Sequence, residues 1–530
     1  MRTRVALVVW LLLCAAATAR DVSITILHTC DLHGNILPTD NYEGQTNLGG
    51  LARCASVIRQ VRATQSNTLV VDAGDTLQGT AVSCLTDGHV MVRLLNLLRY
   101  DAWVWGNHEF DWGLDKLTAN AELAAVPILN ANVQRAGSDA PRLLARVKPY
   151  RIVEVDGVKV GIIGLNTPGI PSWSRPQLIA GLKFADSITT LKVVVPEIRR
   201  AGAQVLVLVV HQGCRDSGDD HANQVRAIAG AFPELDVIIG AHTHRDFSEF
   251  RLSGILYTQA DYFGIHLGRV DLVYDTTAGK VIRRESQTVL MDDKVPLDPT
   301  VLSECSAELD QANQTLRAVI GEATGEFDVR AGSKRETPMH NLIFESIVDG
   351  LSARGLKVDA VVHGVLERRM TLKAGPVTVG DVWRIVPYEN KLGVCQLSAA
   401  ELREILDEDA GAYGSPNFRG VWGVHWEFNP NLPAGQRVQK ITRADGSPIS
   451  NSERLAVAFN SYDLAGGGMR WPKLRELLVR DGNRLIETDL QTRQAVLDYI
   501  RKQGKISPTT HGWWKATIGF HLAETRSADE

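Results

Sequence analysis

One stretch of the chain reads Val205-Leu206-Val207-Leu208-Val209-Val210-His211-Gln212-Gly213, in which six apolar residues run directly into a histidine. A continuous apolar run of this length is typical of a strand buried on both faces, as in the parallel sheets of α/β proteins. Short runs rich in β-branched residues also lie at 22–27, 68–71 and 236–239, with helical stretches between them. The alternation predicts a layered α/β arrangement from residue 21 to about residue 292.

Several of these predicted strands lead into segments that carry Asp, His or Asn. Alone, each segment also fits a structural role: a Gly-Asp pair after a strand is usually only a turn, and a single histidine is often a satisfied core residue. Together they supply imidazole and carboxylate groups at strand ends, where α/β sheets form ligand sites, and such ligands suit divalent transition metals. The five segments are His28–Gly34, Asp72–Asp75, Gly106–Asp111, His211–Gly213 and Gly240–His244.

Length and charge limit the possible functions. The 530 residues exceed the roughly 250–300 at which a single core stops growing, so at least two domains are predicted. The net charge is -4, and the basic residues are dispersed among as many acids. A polynucleotide ligand is therefore not expected, because a phosphate backbone requires a basic stripe. The scattered cysteines define no disulfide framework, so we expect buried or idle thiols with room for one bridge.

The first twenty residues have the pattern of a secretory signal peptide. Arg2 and Arg4 precede an apolar run, Val5–Leu13, and small residues follow up to Ala19. The apolar run is shorter than the ~20 residues that a membrane-spanning helix needs, and no later segment is long and apolar enough to be an anchor. We therefore expect residues 1–20 to be removed and the protein to be exported, either periplasmic or secreted.

Local patterns predict a second α/β domain after the first. A helical, polar stretch from about Pro296 to Val319 predicts an interdomain helix, and a stretch rich in glycine and charge follows it. Beyond it we expect a helix at 341–351, a strand at 358–362 and a helix opened by a capping box at Ser398–Glu401. The predicted division is a first domain at 21–295, a linker helix at 296–325 and a second domain at 326–522.

The order D-x-H, G-D, G-N-H-E-x-D, H and G-x-H-x-H resembles that of the calcineurin-like metallophosphoesterases, and the surrounding residues resemble their 5'-nucleotidase branch over nearly the whole mature chain. The resemblance implies a four-layer αββα sandwich followed by a second α/β substrate-binding domain. It also implies two divalent metal ions, which could be zinc, manganese, cobalt or iron. The implied ligands are Asp31, His33 and His244 for one metal and Asn107, His211 and His242 for the other, with Asp75 bridging both and His108 and Asp111 as a catalytic dyad.

The same resemblance assigns substrate contacts to the second domain. Tyr388 and Tyr462 align with aromatic residues that stack on the nucleobase, and Asn390 aligns with a polar contact to the base. Other positions depart from the family. Glu367 stands where an arginine is usual, and the sequence leaves open whether Arg368 or Arg369 replaces it. Pro338 and Gly468 replace a second arginine and an aspartate.

The expected activity is hydrolysis of a small-molecule phosphate ester, most naturally a nucleoside 5'-monophosphate. The altered substrate contacts leave two alternatives open. One is a 2',3'-cyclic nucleotide phosphodiesterase or nucleotide-sugar pyrophosphatase with the same metal core. The other is a secreted ligand-binding protein that has lost catalysis, although the complete ligand set argues against it. The oligomeric state stays open.

Overall fold

A computed structural model of the protein describes residues 20–137, 142–330, 332–467, 471–480 and 482–517. The predicted signal peptide lies outside the described residues except for Arg20, and Gly468 also lies outside them. Among the helices in these ranges, none is long and apolar enough to cross a membrane.

The first half of the chain contains a seven-stranded sheet. Its strands from Asp21–Thr29 to the far edge at Val147–Lys148 are parallel, and two later strands extend the other edge in antiparallel fashion. The full order is Lys280–Leu290, His266–Asp275, Asp21–Thr29, Thr68–Asp72, Ala102–Trp103, Ile128–Leu129 and Val147–Lys148.

A six-stranded sheet faces it across a shared apolar core. Its central strand, Val205–Val210, is parallel to both neighbours. The order is Asp246–Leu252, Ile255–Ala260, Val237–Ile239, Val205–Val210, Val158–Leu165 and Tyr150–Val155. The last two strands meet at Asp156-Gly157, where both residues have positive φ, 50° and 82°, as a tight two-residue hairpin turn requires. A short antiparallel pair, Val133–Arg135 with Leu182–Phe184, lies apart from both sheets.

The strand Val205–Val210 is buried on both faces, as its sequence predicts. Its odd-numbered residues lie in a core shared with the strand Asp21–Thr29 of the other sheet. Its even-numbered residues pack in a second core against the helices Ser187–Arg200 and Val225–Ala231. A third core covers the outer face of the seven-stranded sheet with helices Leu51–Thr64, His89–Leu97 and Leu114–Leu123. The predicted four-layer αββα order is thus confirmed.

Short helical segments complete the first half, and several of them surround the strand ends. They are the α-helix Ala81–Leu85 and the 3₁₀ turns His108–Phe110, Arg142–Arg146, Ile170–Ser172 and Pro176–Ile179. All six cysteines in the described ranges are free thiols, and five of them are buried.

Two helices, Pro299–Glu304 and Ser306–Arg317, occupy the predicted interdomain stretch. The first begins with a proline and is capped by Asp298, whose carboxylate accepts hydrogen bonds from two backbone N–H groups at 2.9 Å. Leu316 of the second helix packs against the cores of both halves, as does Trp383. The strand Val319–Ala323 then enters a sheet of the second half.

The second half is a further α/β unit built on three small sheets. The helix predicted at 341–351 forms but begins three residues earlier, because Pro338 fits the first turn and Thr337 and His340 make a capping box. The capping box at Ser398–Glu401 is also confirmed. The strands, in sheet order, are Val421–Trp422, Ala360–Val362, Arg454–Asn460, Lys391–Ser398 and Leu485–Gln491; Gly375–Thr378, Val319–Ala323 and Lys505–Ile506; and Val438–Arg443, Val424–Phe428 and Trp514–Ala516.

The helices of the second half close its single core around the five-stranded sheet. They are Pro338–Ser352, Val379–Ile385, Ala399–Gly411, Ser461–Leu464, Pro472–Leu478 and Thr492–Gln503. Buried residues of this core come from all three sheets, so the unit is held together by one apolar interior.

Candidate active site

The five predicted segments meet at one edge of the two facing sheets. Three of them follow the parallel strands Asp21–Thr29, Thr68–Asp72 and Ala102–Trp103 of the seven-stranded sheet. The other two follow the parallel strands Val205–Val210 and Val237–Ile239 of the six-stranded sheet. Since parallel strands end at the same edge, residues far apart in the chain become neighbours there.

One cluster of donor atoms contains Asp31, His33 and His244, whose ligand atoms all lie within 4.8 Å of one another. His244 Nε2 lies 3.1 Å from His33 Nε2 and 3.5 Å from Asp31 Oδ1. Asp31 is fully buried, and its carboxylate also accepts the backbone N–H of His242 at 3.0 Å. These three residues are the set expected to hold the first metal.

A second cluster contains Asp75, His211 and His242, also within 4.8 Å. His211 Nε2 lies 3.1 Å from Asp75 Oδ2 and 3.2 Å from Asn107 Oδ1. The same Asp75 oxygen lies 3.9 Å from Nε2 of His33 in the first cluster. Asp75 therefore stands between the two clusters, where a bridging carboxylate would have to be.

Histidine orientation in these clusters fits metal binding. His33 Nδ1 lies 2.9 Å from the Gln78 carbonyl and His211 Nδ1 lies 2.8 Å from the Ala73 carbonyl, so each Nδ1–H donates to backbone and each Nε2 faces the cluster. Burial lowers the pKa of His33 to about 4 and that of His242 to about 3, which keeps both in the neutral form that binds cations.

In the second cluster, a carboxylate raises the pKa of a histidine instead of burial lowering it. Burial opposes a proton on His211, but Asp75 overcomes that effect and raises the pKa of His211 to about 9. Burial also opposes charge on Asp75, yet His211 and His108 hold its pKa well below the usual range. A cation can replace such a proton between imidazole and carboxylate, so the donor set fits divalent metal ions.

Backbone strain is concentrated at the predicted ligands, which the sequence alone does not reveal. Five of the seven adopt the left-handed region, where non-glycine residues cost of order 1 kcal/mol or more each. The surrounding fold must impose this conformation, as is usual at functional sites. The φ values are 49° at Asp31, 46° at His33, 55° at Asp75, 73° at His242 and 51° at His244.

Glu109 is a supporting residue of the site that sequence reasoning missed, although it lies inside the segment Gly106–Asp111. Its buried carboxylate accepts four backbone hydrogen bonds, from Gly106 at 2.6 Å, Asp75 at 2.9 Å, Thr76 at 2.7 Å and Leu77 at 3.1 Å. These bonds join two loops that each carry a predicted ligand. Glu109 thus fixes the position of Asp75 relative to the loop at 106–111.

A glycine at position 106 is required by the close approach of these loops. A Cβ atom there would lie 2.2 Å from Asp75 Oδ1 and 2.6 Å from Cε1 of His211. Both contacts are far inside van der Waals distance, and the two partners are themselves fixed by hydrogen bonds. Any larger residue would therefore displace Asp75.

His108 and Asp111 lie side by side, as the three-residue spacing on one turn predicts. His108 Nδ1 is 2.6 Å from Asp111 Oδ2, and the His108 ring lies 5.1 Å from the ring of His33. Burial alone would lower the pKa of His108, but Asp111 and Asp75 outweigh it and raise that pKa to about 10. The neighbouring carboxylates thus favour the protonated imidazole, and Asp111 directs its ring.

The predicted substrate residues lie at one end of the five-stranded sheet of the second half. Strands Lys391–Ser398 and Arg454–Asn460 are antiparallel neighbours there, with Leu392 opposite Asn460. Asn390 precedes the first of these strands and Tyr462 follows the second, so their segments are adjacent. Tyr388, 48% exposed, lies two residues before Asn390.

The loop that carries Tyr388 contacts the first half. Trp112, the residue after the predicted dyad aspartate, donates its indole N–H to the Glu389 carboxylate. Arg493 supports this loop from the second half by donating hydrogen bonds of 2.8 and 2.6 Å to the carbonyls of residues 386–387. The predicted base-stacking segment and the predicted dyad are thereby tied together.

Both arginines next to Glu367 donate hydrogen bonds within the protein. Arg369 forms two contacts of 3.1 Å with the Glu367 carboxylate and also donates to the carbonyl of Tyr42 in the first half. Arg368 donates to backbone carbonyls of the loop at 415–418. The positive charge of Arg369 is therefore balanced by the carboxylate that stands in the usual arginine position.

Two protein-family models match the chain, one in each half. The family model of the calcineurin-like phosphoesterases matches residues 24–246, and that of the 5'-nucleotidase C-terminal domain matches residues 319–476. The match of the first domain and its clustered histidine and aspartate side chains show that the protein is a metal-dependent phosphoester hydrolase.

Relatives that align over nearly the whole chain indicate which phosphoesterase family it resembles. A snake venom 5'-nucleotidase from Naja atra is 27% identical over 540 residues, covering 92% of this chain and 98% of its own length. The 5'-nucleotidase of Homo sapiens is 25% identical over 94% of this chain and 92% of its own. The crystal structure of a 5'-nucleotidase precursor from Thermus thermophilus has a TM-score of 0.71 at 25% identity, covering 93% and 99% of the two chains. The family models of both halves and the relatives of nearly full length thus point to one family, the 5'-nucleotidases.

Proposed function

We propose that this protein is an exported hydrolase of nucleoside 5'-monophosphates, which releases nucleoside and orthophosphate. The observation that carries the proposal is the Trp112–Glu389 hydrogen bond, because it holds the segment of Tyr388 against the segment of His108 and Asp111. A nucleotide bound there would have an aromatic ring for its base and charged donors for its phosphate. Residues 1–20 are proposed as the export signal.

We assign the donors as follows. Asp31, His33 and His244 hold one divalent cation, and Asn107, His211 and His242 hold the other, with Asp75 shared. When bound, a pair of such cations, zinc, manganese, cobalt or iron, lowers the pKa of water and polarises the phosphoryl oxygens. Asp75 would serve both cations, since its carboxylate faces both clusters.

His108 and Asp111 act on charge that develops at phosphorus. The protonated imidazole of His108 donates a hydrogen bond to a non-bridging phosphoryl oxygen, and this bond strengthens as negative charge grows. Asp111 holds the ring orientation through its 2.6 Å contact with Nδ1 and keeps the imidazole protonated. In-line attack by water forms a new bond from its oxygen to phosphorus as the bond between phosphorus and the 5'-oxygen breaks. One proton of the water ends on the 5'-oxygen, which leaves with the nucleoside, and the other stays with the phosphate.

The second domain supplies recognition in this proposal. Tyr388 and Tyr462 stack on the base, Asn390 bonds its edge, and the segment at 296–325 links the two domains as a candidate hinge. The proposed division places hydrolysis in residues 21–295 and substrate selection in residues 326–522.

A second candidate is hydrolysis of a nucleotide diester, such as a 2',3'-cyclic nucleotide or a nucleotide sugar. The pairing of Arg369 with Glu367 favours it, because Glu367 neutralises the guanidinium. A monoester, whose phosphoryl group is a dianion, loses more by this than a diester, whose phosphoryl group carries one negative charge. The metal clusters would serve either reaction.

Chromatographic product analysis of a substrate panel distinguishes the two. A monoester releases orthophosphate, whereas 2',3'-cyclic AMP opens to a 2'- or 3'-monophosphate and UDP-glucose splits into UMP and glucose 1-phosphate. The purified chain, loaded with Mn²⁺ or Zn²⁺, is offered AMP, 2',3'-cyclic AMP, UDP-glucose and sugar phosphates, each with and without EDTA. Chelator-sensitive release that is fastest from AMP supports the 5'-nucleotidase. Turnover of a diester with no release from AMP would reassign the activity to the second candidate.

A further inference from the structure

Three histidines that face the two clusters through Nε2 differ in what supports their other ring nitrogen. His33 and His211 each contact a backbone carbonyl of the first domain through Nδ1. His244 instead has its Nδ1 3.1 Å from the hydroxyl of Tyr42. A metal-binding imidazole is held in one tautomer and one orientation by the partner at its second nitrogen, so the identity of that partner matters.

Tyr42 is held by aromatic stacking on one side. Its ring lies 4.2 Å from the ring of Tyr262 at an angle of 22°, and the Tyr262 ring stacks in turn on His244 at 5.3 Å. The backbone N–H of Tyr42 donates to the Tyr262 hydroxyl at 2.9 Å. The Tyr42 side chain is nevertheless 44% exposed, so the first domain fixes only part of it.

The second domain supplies further contacts to the backbone around Tyr42. Arg369 donates to the backbone carbonyls of Tyr42 and, at 3.3 Å, Asn41. Its guanidinium is oriented by two contacts of 3.1 Å with Glu367. Asn41 accepts the backbone N–H groups of Glu43 and Gln45 through its side chain, which makes a compact turn around Tyr42. The turn therefore joins the metal cluster to the second domain.

We infer that Tyr42 is a positioning residue that orients His244 through Nδ1, and that Arg369 makes this positioning depend on docking of the second domain. The inference rests on the proposed function in one respect, because that proposal assigns His244 to a cation. It adds a link from the substrate domain to the metal centre. Docking of the second domain then raises the affinity of the first cluster for a cation. The second cluster, which first-domain backbone supports, keeps its affinity.

Binding of Mn²⁺ alone to the full chain tests this inference without any substrate. Free Mn²⁺ is counted by electron paramagnetic resonance during titration, which separates tighter from weaker sites. In Tyr42→Phe, which keeps the stacked ring, one of two sites should lose affinity by roughly tenfold, the lower end of the usual effect of removing a ligand's hydrogen-bond partner. Arg369→Ala should weaken the same site by less.

Matched controls separate positioning from general damage. Arg443→Ala removes a similar arginine, which contacts Glu453 at 2.7 Å within the second domain, and should change neither site. The double variant of Tyr42→Phe and Arg369→Ala should bind no more weakly than Tyr42→Phe alone, because Arg369 acts through Tyr42. Thermal unfolding in EDTA should match the wild-type protein for each variant.

Three results would overturn the inference. Unchanged Mn²⁺ binding in Tyr42→Phe would remove the positioning role. Equal weakening of both sites would indicate general damage. Loss in Tyr42→Phe with none in Arg369→Ala would remove the dependence on the second domain. A failure of the proposed function would look different, as a wild-type protein that binds two Mn²⁺ ions but releases no phosphate from AMP.

Discussion

The donor clusters of the first domain and the predicted substrate contacts of the second differ in what fixes their residues. The donors emerge from buried parallel strands, and backbone groups or the buried Glu109 carboxylate hold them in strained conformations. The substrate residues occupy loops and a four-residue helix, and Tyr388 is 48% exposed. The fold thus fixes the predicted metal ligands rigidly. The predicted substrate contacts lie on loops, where a few substitutions can alter them.

Loss of the bridging carboxylate is the strongest way to break this comparison. Asp75→Asn should lower kcat by roughly 10³-fold, the upper end of the cost of one lost electrostatic stabiliser. It should also lower the bound metal, because Asp75 Oδ2 faces both clusters. Steady-state kinetics with metal analysis checks both effects. Full activity in this variant would contradict the assignment of the donors.

Removal of the buried loop support should have the next largest effect. Glu109→Gln replaces an acceptor oxygen with an amide N–H facing backbone donors, so the free energy of unfolding should fall by about 3 kcal/mol. Chemical denaturation measures this change. In the control Glu285→Gln, which changes an exposed residue and loses only a surface pair with Arg283, the free energy of unfolding should fall far less. Equal losses would mean that Glu109 is not a special support.

The second domain should respond in affinity rather than in chemistry. Tyr388→Ala should raise KM for AMP by about tenfold, since stacking of a base on an aromatic ring contributes roughly 1–3 kcal/mol. KM for p-nitrophenyl phosphate, which has no base, should rise less. The control Tyr499→Ala removes a tyrosine that bonds Glu345 and should leave both values unchanged. Equal increases for the two substrates would argue against a base clamp.

The smallest effect is expected at a long ion pair between the domains. Arg175 Nη1 lies 4.0 Å from the Glu487 carboxylate, a distance at which partly exposed pairs contribute up to about 1 kcal/mol. Arg175→Ala should therefore lower kcat/KM for AMP by no more than about fivefold. A larger loss, measured under the same conditions, would place Arg175 in the substrate site itself.

The layered fold of the first half could be predicted from its sequence because central strands such as Val205–Val210 are apolar on both faces. The run at 205–210 has one set of residues against the other sheet and the alternate set against helices, which is the pattern its composition indicates. The clustering of the predicted Asp and His ligands could be expected for the same reason, since four of the five segments follow a predicted buried strand. The positive φ values at five of them could not be predicted, because tertiary contacts impose them.

Other parts of the site depend on contacts between distant residues, which a single sequence does not contain. Glu109 accepts from a loop more than thirty positions earlier, and Tyr42 contacts both His244 and Arg369 across the domain boundary. The sequence raised Arg368 and Arg369 as replacements for the family arginine without deciding between them. Only the structure pairs Arg369 with Glu367.

The most direct test of the account compares AMP with ribose 5-phosphate as substrates of the metal-loaded protein. The two share the sugar and the phosphate, so the first domain meets the same ester, and only AMP has a base for the second domain. The account predicts that kcat/KM for AMP exceeds that for ribose 5-phosphate by at least about tenfold, in line with one stacked base. Equal values would contradict a division in which the second domain selects nucleotides.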